Sequence, residues 1–323
     1  MKLIVFADSG SFISNILLEK LLSKLRNRFE LLFVVDTNKR PNIAKNKYSI
    51  LGKEFIKKVF NKDYKIRYEW YFTQTIYDIC KKYNIRCIVP QNYNINDERF
   101  IETVKRYNPD FGLAIGCPQI FREKLLGSFK YYVVNYHNSL LPKYRGLYAT
   151  AWSIYFGEEI TGFSYHIVNE KIDDGNILIQ DYIKVDQKLS VLEHEVLKTF
   201  KASEQLERLI DLMECKNTGY PQVGEPSYYG SKELKEITTI ADPTLLTSNE
   251  LKKRIYCFSV LNIKLMDSFY PVTNFLISSD FNKKIKFYFR SSDGIYFYPI
   301  RFNYLPKWLY DFYKLTKTWK KND

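Results

Sequence analysis

The sequence predicts an α/β protein: a mostly parallel sheet followed by a small β-rich C-terminal subdomain. Short apolar runs alternate with helical patterns through the first half, the arrangement of a parallel sheet with crossover helices. A polar pair, Asn135 and His137, sits at the end of one such strand, where open α/β sheets place their ligands. After Gly219 the pattern changes to turn-rich chain and then to short alternating runs. The expected division is an α/β domain over 1–215, a linker over 216–247 and a β-rich subdomain over 248–323.

Each element has its own signal. "KLIVFA" at 2–7 reads as the first strand and "SFISNILLEKLLSKL" as the helix after it. "ELLFVVD" at 30–36 and "RCIVP" at 86–90 continue the sheet. "NDERFIETVKRYNPD" places Phe100, Ile101, Val104 and Tyr107 on one helical stripe, with Asn96 as the expected cap. "FGLAIG" at 111–116 and "YYVVNYH" follow as strands, and "TGFSYHIV" and "NILIQDYI" read as a hairpin pair around "NEKIDDG". Ser190 and Glu193 form a capping-box pattern that opens a helix to about Cys215. "GYPQVGEPSYYG" is turn-rich and reads as linker. "SNELKKRIYCF" is a helix, and the runs at 274–279, 284–290 and 294–300 read as antiparallel strands.

Composition narrows the class. In 323 residues an apolar share of 46% is that of a globular protein. Five cysteines (Cys80, Cys87, Cys117, Cys215, Cys257) form no C-x-x-C pair, so they read as free thiols in a reducing compartment, and a cytoplasmic protein is expected. The opening "MKLIVFADSG" is too soon interrupted by Asp8 for a signal peptide. No apolar run approaches the length of a membrane span. The net charge is +13, and ten basic residues against two acidic ones lie between Lys39 and Arg67. That block suits a polyanion or a solvated lysine-rich face equally. G-x-G-x-x-G and Walker patterns are absent, which removes the main support for dinucleotide or NTPase chemistry.

The stretch "VVNYHNSLLPKYRG" carries the chemistry. Alternation along a strand puts Asn135 and His137 on one face, and Pro142 and Gly146 then turn the chain. On spacing alone, a ligand-facing pair and a core histidine satisfied by its neighbour are both open readings.

Asn-x-His, then Ser-Leu-Leu-Pro with Arg-Gly, then Asp173 in "KIDDG" resemble the 10-formyltetrahydrofolate-dependent formyltransferase family. "NDERFIETVKRYNPDFGLAIG", "GFSYHIVNEKIDDGNIL", "YPQVGEPSYY" and "SNELKKRIYCF" also look like family segments in family order, over roughly residues 1–300. The resemblance implies a Rossmann-like sheet and a catalytic domain within 1–215. It implies a catalytic set of Asn135, His137 and Asp173, with Ser164 and His166 lining the site. An amide N–H is suited to a developing oxyanion, an imidazole to moving the amine proton, and a carboxylate to orienting that imidazole. Asp174 is expected to be solvated, and His194 to lie on the surface.

The same resemblance places the pterin of the formyl donor between two loops. Cys117, Pro118, Gln119 and Ile120 belong to one, and Val168, Asn169 and Ile172 to the other, with Ile120 and Ile172 on the ring faces. Ser139, Lys143 and Arg145 are the expected contacts to a nucleotide sugar, Arg145 through its planar fork to phosphate. "HEVLK" lacks the second histidine of a zinc helix, so no metal is implied. The "FADSGSF" start and the "CPQIF" loop look closer to the nucleotide-sugar branch than to methionyl-tRNA formyltransferase. The expected substrate is a dTDP-linked 4-amino-4,6-dideoxyhexose, with the tRNA enzyme as runner-up. A non-catalytic basic nucleic-acid-binding module is the third reading, and nucleic acid is not the expected partner. A homodimer is expected, because the aromatic-rich C-terminal region is too small to bury its own side chains.

Overall fold

The computed structural model describes residues 1–38, 74–265, 268–272, 274–281 and 288–300. The basic block at 39–67 and the aromatic positions Tyr304, Trp308, Tyr310 and Tyr313 lie outside the described residues. The chain forms two compact units. The first comprises Met1–Gly146, Ile160–Lys184 and Glu195–Ser227. The second comprises Leu147–Glu159, Val185–His194 and the described residues from Tyr228 onward.

Seven strands form the sheet of the first unit: β1 (Lys2–Ala7), β2 (Glu30–Asp36), β3 (Cys87–Ile88), β4 (Phe111–Ile115), β5 (Tyr132–His137), β6 (Ile160–Ile167) and β7 (Ile177–Lys184). Their order is β3-β2-β1-β4-β5-β6-β7. The pairs from β3 to β5 are parallel, whereas β5–β6 and β6–β7 are antiparallel. The fold is therefore mixed α/β with a mostly parallel sheet. β1 explains why its run is apolar throughout. Leu3, Val5 and Ala7 pack into one core with helix Phe12–Leu25, while Ile4 and Phe6 pack into a second core on the other face with Phe100, Ile101 and Val104. Both faces are covered, so no position is free to be polar.

Boundaries differ from the sequence reading where side chains settle them. The helix Glu98–Tyr107 is capped by Asp97, whose carboxylate accepts the Arg99 N–H, and not by Asn96. Asn96 instead ties the Ile120 carbonyl and the Arg122 amide. The helix from Ser190 divides into Val191–Glu204 and Leu206–Glu214, and the capping box is made: Ser190 N donates to Glu193 Oε2 and Glu193 N donates to Ser190 Oγ.

The second unit is β-rich towards its end. Strands Thr239–Ile240, Leu261–Leu265 and Ser268–Val272 form one sheet, and Asn274–Ser278, Tyr296–Ile300 and Phe289–Arg290 form another. Their inward residues join Leu251 and Ile255 of helix Ser248–Phe258 in one core. The segment 216–247 also holds helix Ser231–Thr238. His194 is fully buried, not on the surface. Its Nε2 accepts the Asp186 N–H and its Nδ1–H faces the Ser190 carbonyl, so burial leaves neither ring nitrogen unsatisfied.

Candidate active site

The carboxyl end of β5 brings Asn135 and His137 to one place because they share a strand face, and β6 lies antiparallel beside them. The register sets Asn135 opposite His166 and His137 opposite Ser164. Asp173 enters from the β6–β7 connection. Its Oδ2 lies 3.4 Å from His137 Nδ1 and its Oδ1 lies 3.3 Å from His166 Nε2. Asn135 Nδ2 is 3.1 Å from His166 Nε2 and donates to Asp173 Oδ1 at 3.4 Å. Four of the five residues assigned as catalytic or supporting thus meet at one carboxylate.

Backbone conformation makes the meeting possible. Asp173 is held at φ +51 and Gly146 at φ +93, and the Gly146 N–H donates to Asp173 Oδ2 at 2.9 Å. Gly175 has its own reason to lack a side chain, since a Cβ there would fall 1.7 Å from the Ile167 carbonyl oxygen. The glycine of Asp-x-Gly lets the loop close on the end of β6.

Proton positions follow from partners that can only accept. His137 Nε2 sits 2.9 Å from the Tyr144 carbonyl, so its proton belongs there and Nδ1 presents a lone pair toward Asp173. His166 Nδ1 lies 3.0 Å from the Ile167 carbonyl, which leaves Nε2 to accept the Asn135 amide. Burial pushes the His137 pKa below its ordinary value, although Asp173 pulls it upward. For Asp173, burial works to raise the pKa. The positive charge of His137 and His166 in their protonated forms, with the Gly146 N–H, outweighs it and holds the carboxyl well below the usual carboxylate range. An ionised acid therefore faces an imidazole with an open nitrogen, poised to take up a proton.

Ser164 does not touch this carboxylate through any described contact. Its hydroxyl donates to the Ser139 carbonyl at 2.7 Å and accepts from the Leu141 N–H and Gln180 Nε2, so it fastens the loop after β5. Ser139 is buried, with its hydroxyl on the Lys143 carbonyl. Lys143 is exposed at the loop tip. Arg145 is already engaged: Nη1 pairs with Asp174 Oδ1 at 2.5 Å and Nη2 donates to Gln222 Oε1 at 2.7 Å. Asp174 is accordingly an ion-pair partner, not a merely solvated residue.

In the loop after β4, Gln119 spends its amide internally, donating to the Thr37 and Tyr93 carbonyls and accepting the Ile95 N–H. Cys117 directs its thiol at the Gln119 carbonyl, and burial pushes that thiol up to about 12, far from a reactive thiolate. Pro118 stands between them. Ile120 and Ile172 are 59% and 38% exposed, two large apolar side chains without a protein core to cover them. Val168 N donates to the Val133 carbonyl and Asn169 Oδ1 accepts the Lys171 N–H, so both brace the second loop.

Two participants carry no local signal in the sequence. Tyr144 acts through its backbone carbonyl, and Gln222 lies in the stretch read as linker. Lys198 is fully buried on helix Val191–Glu204, donating to the Asn138 carbonyl at 2.7 Å and to Thr161 Oγ1 at 3.2 Å.

A family model described as formyl transferase matches residues 1–206. The chain belongs to the formyl transferase family. GDP-perosamine N-formyltransferase of Brucella melitensis is 36% identical over 139 residues, 43% of this chain and 53% of that protein. Methionyl-tRNA formyltransferase of Thermodesulfovibrio yellowstonii is 33% identical over 151 residues, 46% of this chain and 49% of that one. The chain spans about half the length of these curated relatives. Among solved structures, a sugar N-formyltransferase from Shewanella sp. aligns with TM-score 0.58 at 17% identity, covering 95% of this chain and 98% of its own. An N-formyltransferase from Helicobacter canadensis in complex with folinic acid and dTDP-3-aminofucose aligns with TM-score 0.57 at 16% identity, covering 93% and 99%. Both share the fold of this chain. Among the described residues, no helix is long and apolar enough to cross a membrane and no cluster of side chains could hold a metal ion.

Proposed function

We propose that the protein transfers a formyl group from 10-formyltetrahydrofolate to the amino group of a nucleotide-linked amino sugar. The observation that carries this reading is the convergence of Asn135, His137 and His166 on the ionised Asp173. The exposed Ile120 and Ile172 fit a flat heteroaromatic ring, each on a loop with backbone groups for its edge. The bound donor supplies an activated formamide carbon.

The chain's own residues do the rest. Both amide hydrogens of Asn135 are directed at His166 and Asp173, and the 3.4 Å contact to Asp173 is the longer. That hydrogen is the one an entering carbonyl oxygen takes over, placing a donor where negative charge develops, a contribution of about 3 kcal/mol when preorganised. His137 Nδ1 accepts the proton that the attacking amine must lose and passes it to the folate nitrogen as the bond from that nitrogen to the formyl carbon breaks. Between the two transfers Asp173 stabilises the imidazolium, whose other N–H already rests on the Tyr144 carbonyl.

A dTDP-linked 4-amino-4,6-dideoxyhexose is the substrate we favour within this class. The GDP sugar in the name of the Brucella relative makes the nucleotide the first variable to test. Methionyl-tRNA formyltransferase is the second reading, supported by relatives of that name at 29–33% identity. Incubation with 10-formyltetrahydrofolate and a panel of dTDP- and GDP-linked amino sugars, read by product mass, tests both. Transfer to initiator methionyl-tRNA with none to any sugar overturns the sugar reading.

A further inference from the structure

Asp173 adopts a left-handed backbone conformation that a non-glycine residue holds only when its surroundings require it. The contacts that require it include one side chain from far along the chain. Gln222 Nε2 donates to the Asp173 carbonyl at 2.8 Å and to the Gly175 carbonyl at 2.9 Å, bridging the turn on either side of Asp174. Its Oε1 accepts from Arg145 Nη2 at 2.7 Å and Nε at 3.3 Å. Chemistry fixes the orientation of this amide, because carbonyls only accept and a guanidinium only donates. Arg145 closes the ring of contacts through Asp174. The peptide on one side of that ring supplies Gly146 N to Asp173 Oδ2. Gln222 therefore ties the loop after β5 to the loop that presents the carboxylate.

We propose that Gln222 is a positioning residue of the formyl-transfer site: its amide holds the Asp173–Gly175 turn so that the Asp173 carboxylate stays on His137 Nδ1. The proposal rests on the formyltransferase reading for its effect on turnover, but its geometry does not. Gln222 touches neither His137 nor Asn135 in any described contact; it acts through Asp173. Arg145 is the second member of the clamp, and its planar fork is what lets one side chain serve Asp174 and Gln222 together.

The test uses the full chain and Gln222→Met, which keeps length and removes both hydrogen-bonding ends without adding charge. The primary readout is the NMR titration of the His137 ring, assigned against His137→Gln in a protein with only three histidines. His137 is faced by Asp173 and the Tyr144 carbonyl, which raise its midpoint, and by His166 and Lys198, which lower it. Loosening Asp173 alone therefore moves the midpoint down, by about 0.5 pH unit or more. Turnover with the accepted amino sugar falls about 10- to 100-fold, while the Michaelis constants stay within about threefold. A His137 midpoint equal to that of the wild type overturns the proposal, whatever turnover does. A wild type inert on every sugar nucleotide and on methionyl-tRNA overturns the functional reading instead and leaves the titration to decide this one. Should Gln222→Met fail to melt cooperatively, Gln222→Asn, which withdraws the amide by one methylene, carries the same readout.

Discussion

Asn135 and His166 are cross-strand partners, the Asn135 amide nitrogen lying 3.1 Å from His166 Nε2 across the antiparallel pair β5–β6. The pairing fixes which way the Asn135 amide points, because the Ile167 carbonyl holds the proton of the other ring nitrogen. A residue suited to oxyanion stabilisation is thereby oriented before any substrate arrives.

Loss of any of three side chains is expected to remove transfer with the fold retained. His137→Ala and Asn135→Ala each lower turnover by about 100-fold or more. Asp173→Asn does nearly the same, since it takes the charge away from His137 Nδ1 and leaves an amide hydrogen against it. Steady-state rates beside thermal melts check this, and a well-folded variant with near wild-type turnover contradicts the assignment.

The buried imidazole predicts a pH dependence of stability. The folded pKa of His137 is depressed, so from about pH 6.5 downward the unfolded chain binds more protons than the folded one. Stability due to this group is complete above that pH and is lost as the pH falls. The melting temperature of the wild type should decline from pH 6.5 to 5, and His137→Gln should flatten the decline. Equal slopes would show that the ring is not held in its neutral form.

Lys198 predicts a dependence in a different window. Burial pushes its ammonium down to about 7, with Glu195 opposing, whereas an unfolded lysine titrates near 10.5. Between these values the unfolded state holds the extra proton, so stability rises with pH. Melts from pH 7 to 9 should show the wild type gaining on Lys198→Met. Parallel curves would mean that the ammonium keeps its charge in the core.

Arg145 separates substrate contact from loop support. Because Asp174 and Gln222 already occupy its guanidinium, Arg145→Ala is expected to lower turnover without singling out either substrate. A rise in the Michaelis constant for the sugar nucleotide alone would instead assign Arg145 to the phosphate.

Assembly is testable directly. Two-fold dimers are the commonest closed oligomer, and Phe269, Leu276, Ile277, Phe281 and Tyr288 are all exposed in the β-rich unit. Light scattering at micromolar concentration should give twice the 38.5 kDa chain mass. A mass of one chain rejects the dimer. A folded dimer that survives truncation after Thr247 moves the interface elsewhere.

What the sequence determined by itself was local. Period-two alternation put Asn135 and His137 on one face, an uninterrupted apolar run marked β1 as a strand, and Ser190 with Glu193 announced a helix start. Each depends on residues within a turn or a strand of one another, so backbone geometry alone connects pattern to position. Tertiary structure decided the rest. The register of β5 on β6 delivered His166 to Asn135. The loop closure at Gly175 carried Asp173 beneath both histidines, and the fold brought Gln222 and Arg145 together across 77 residues of chain. It also buried His194, expected on the surface, and Lys198, and gave their polar atoms partners. Such contacts leave no periodic trace because each depends on where two distant backbones finally lie. Hydrogen-bond partners and burial, which set the pKa values of this site, exist only once the sheet has closed.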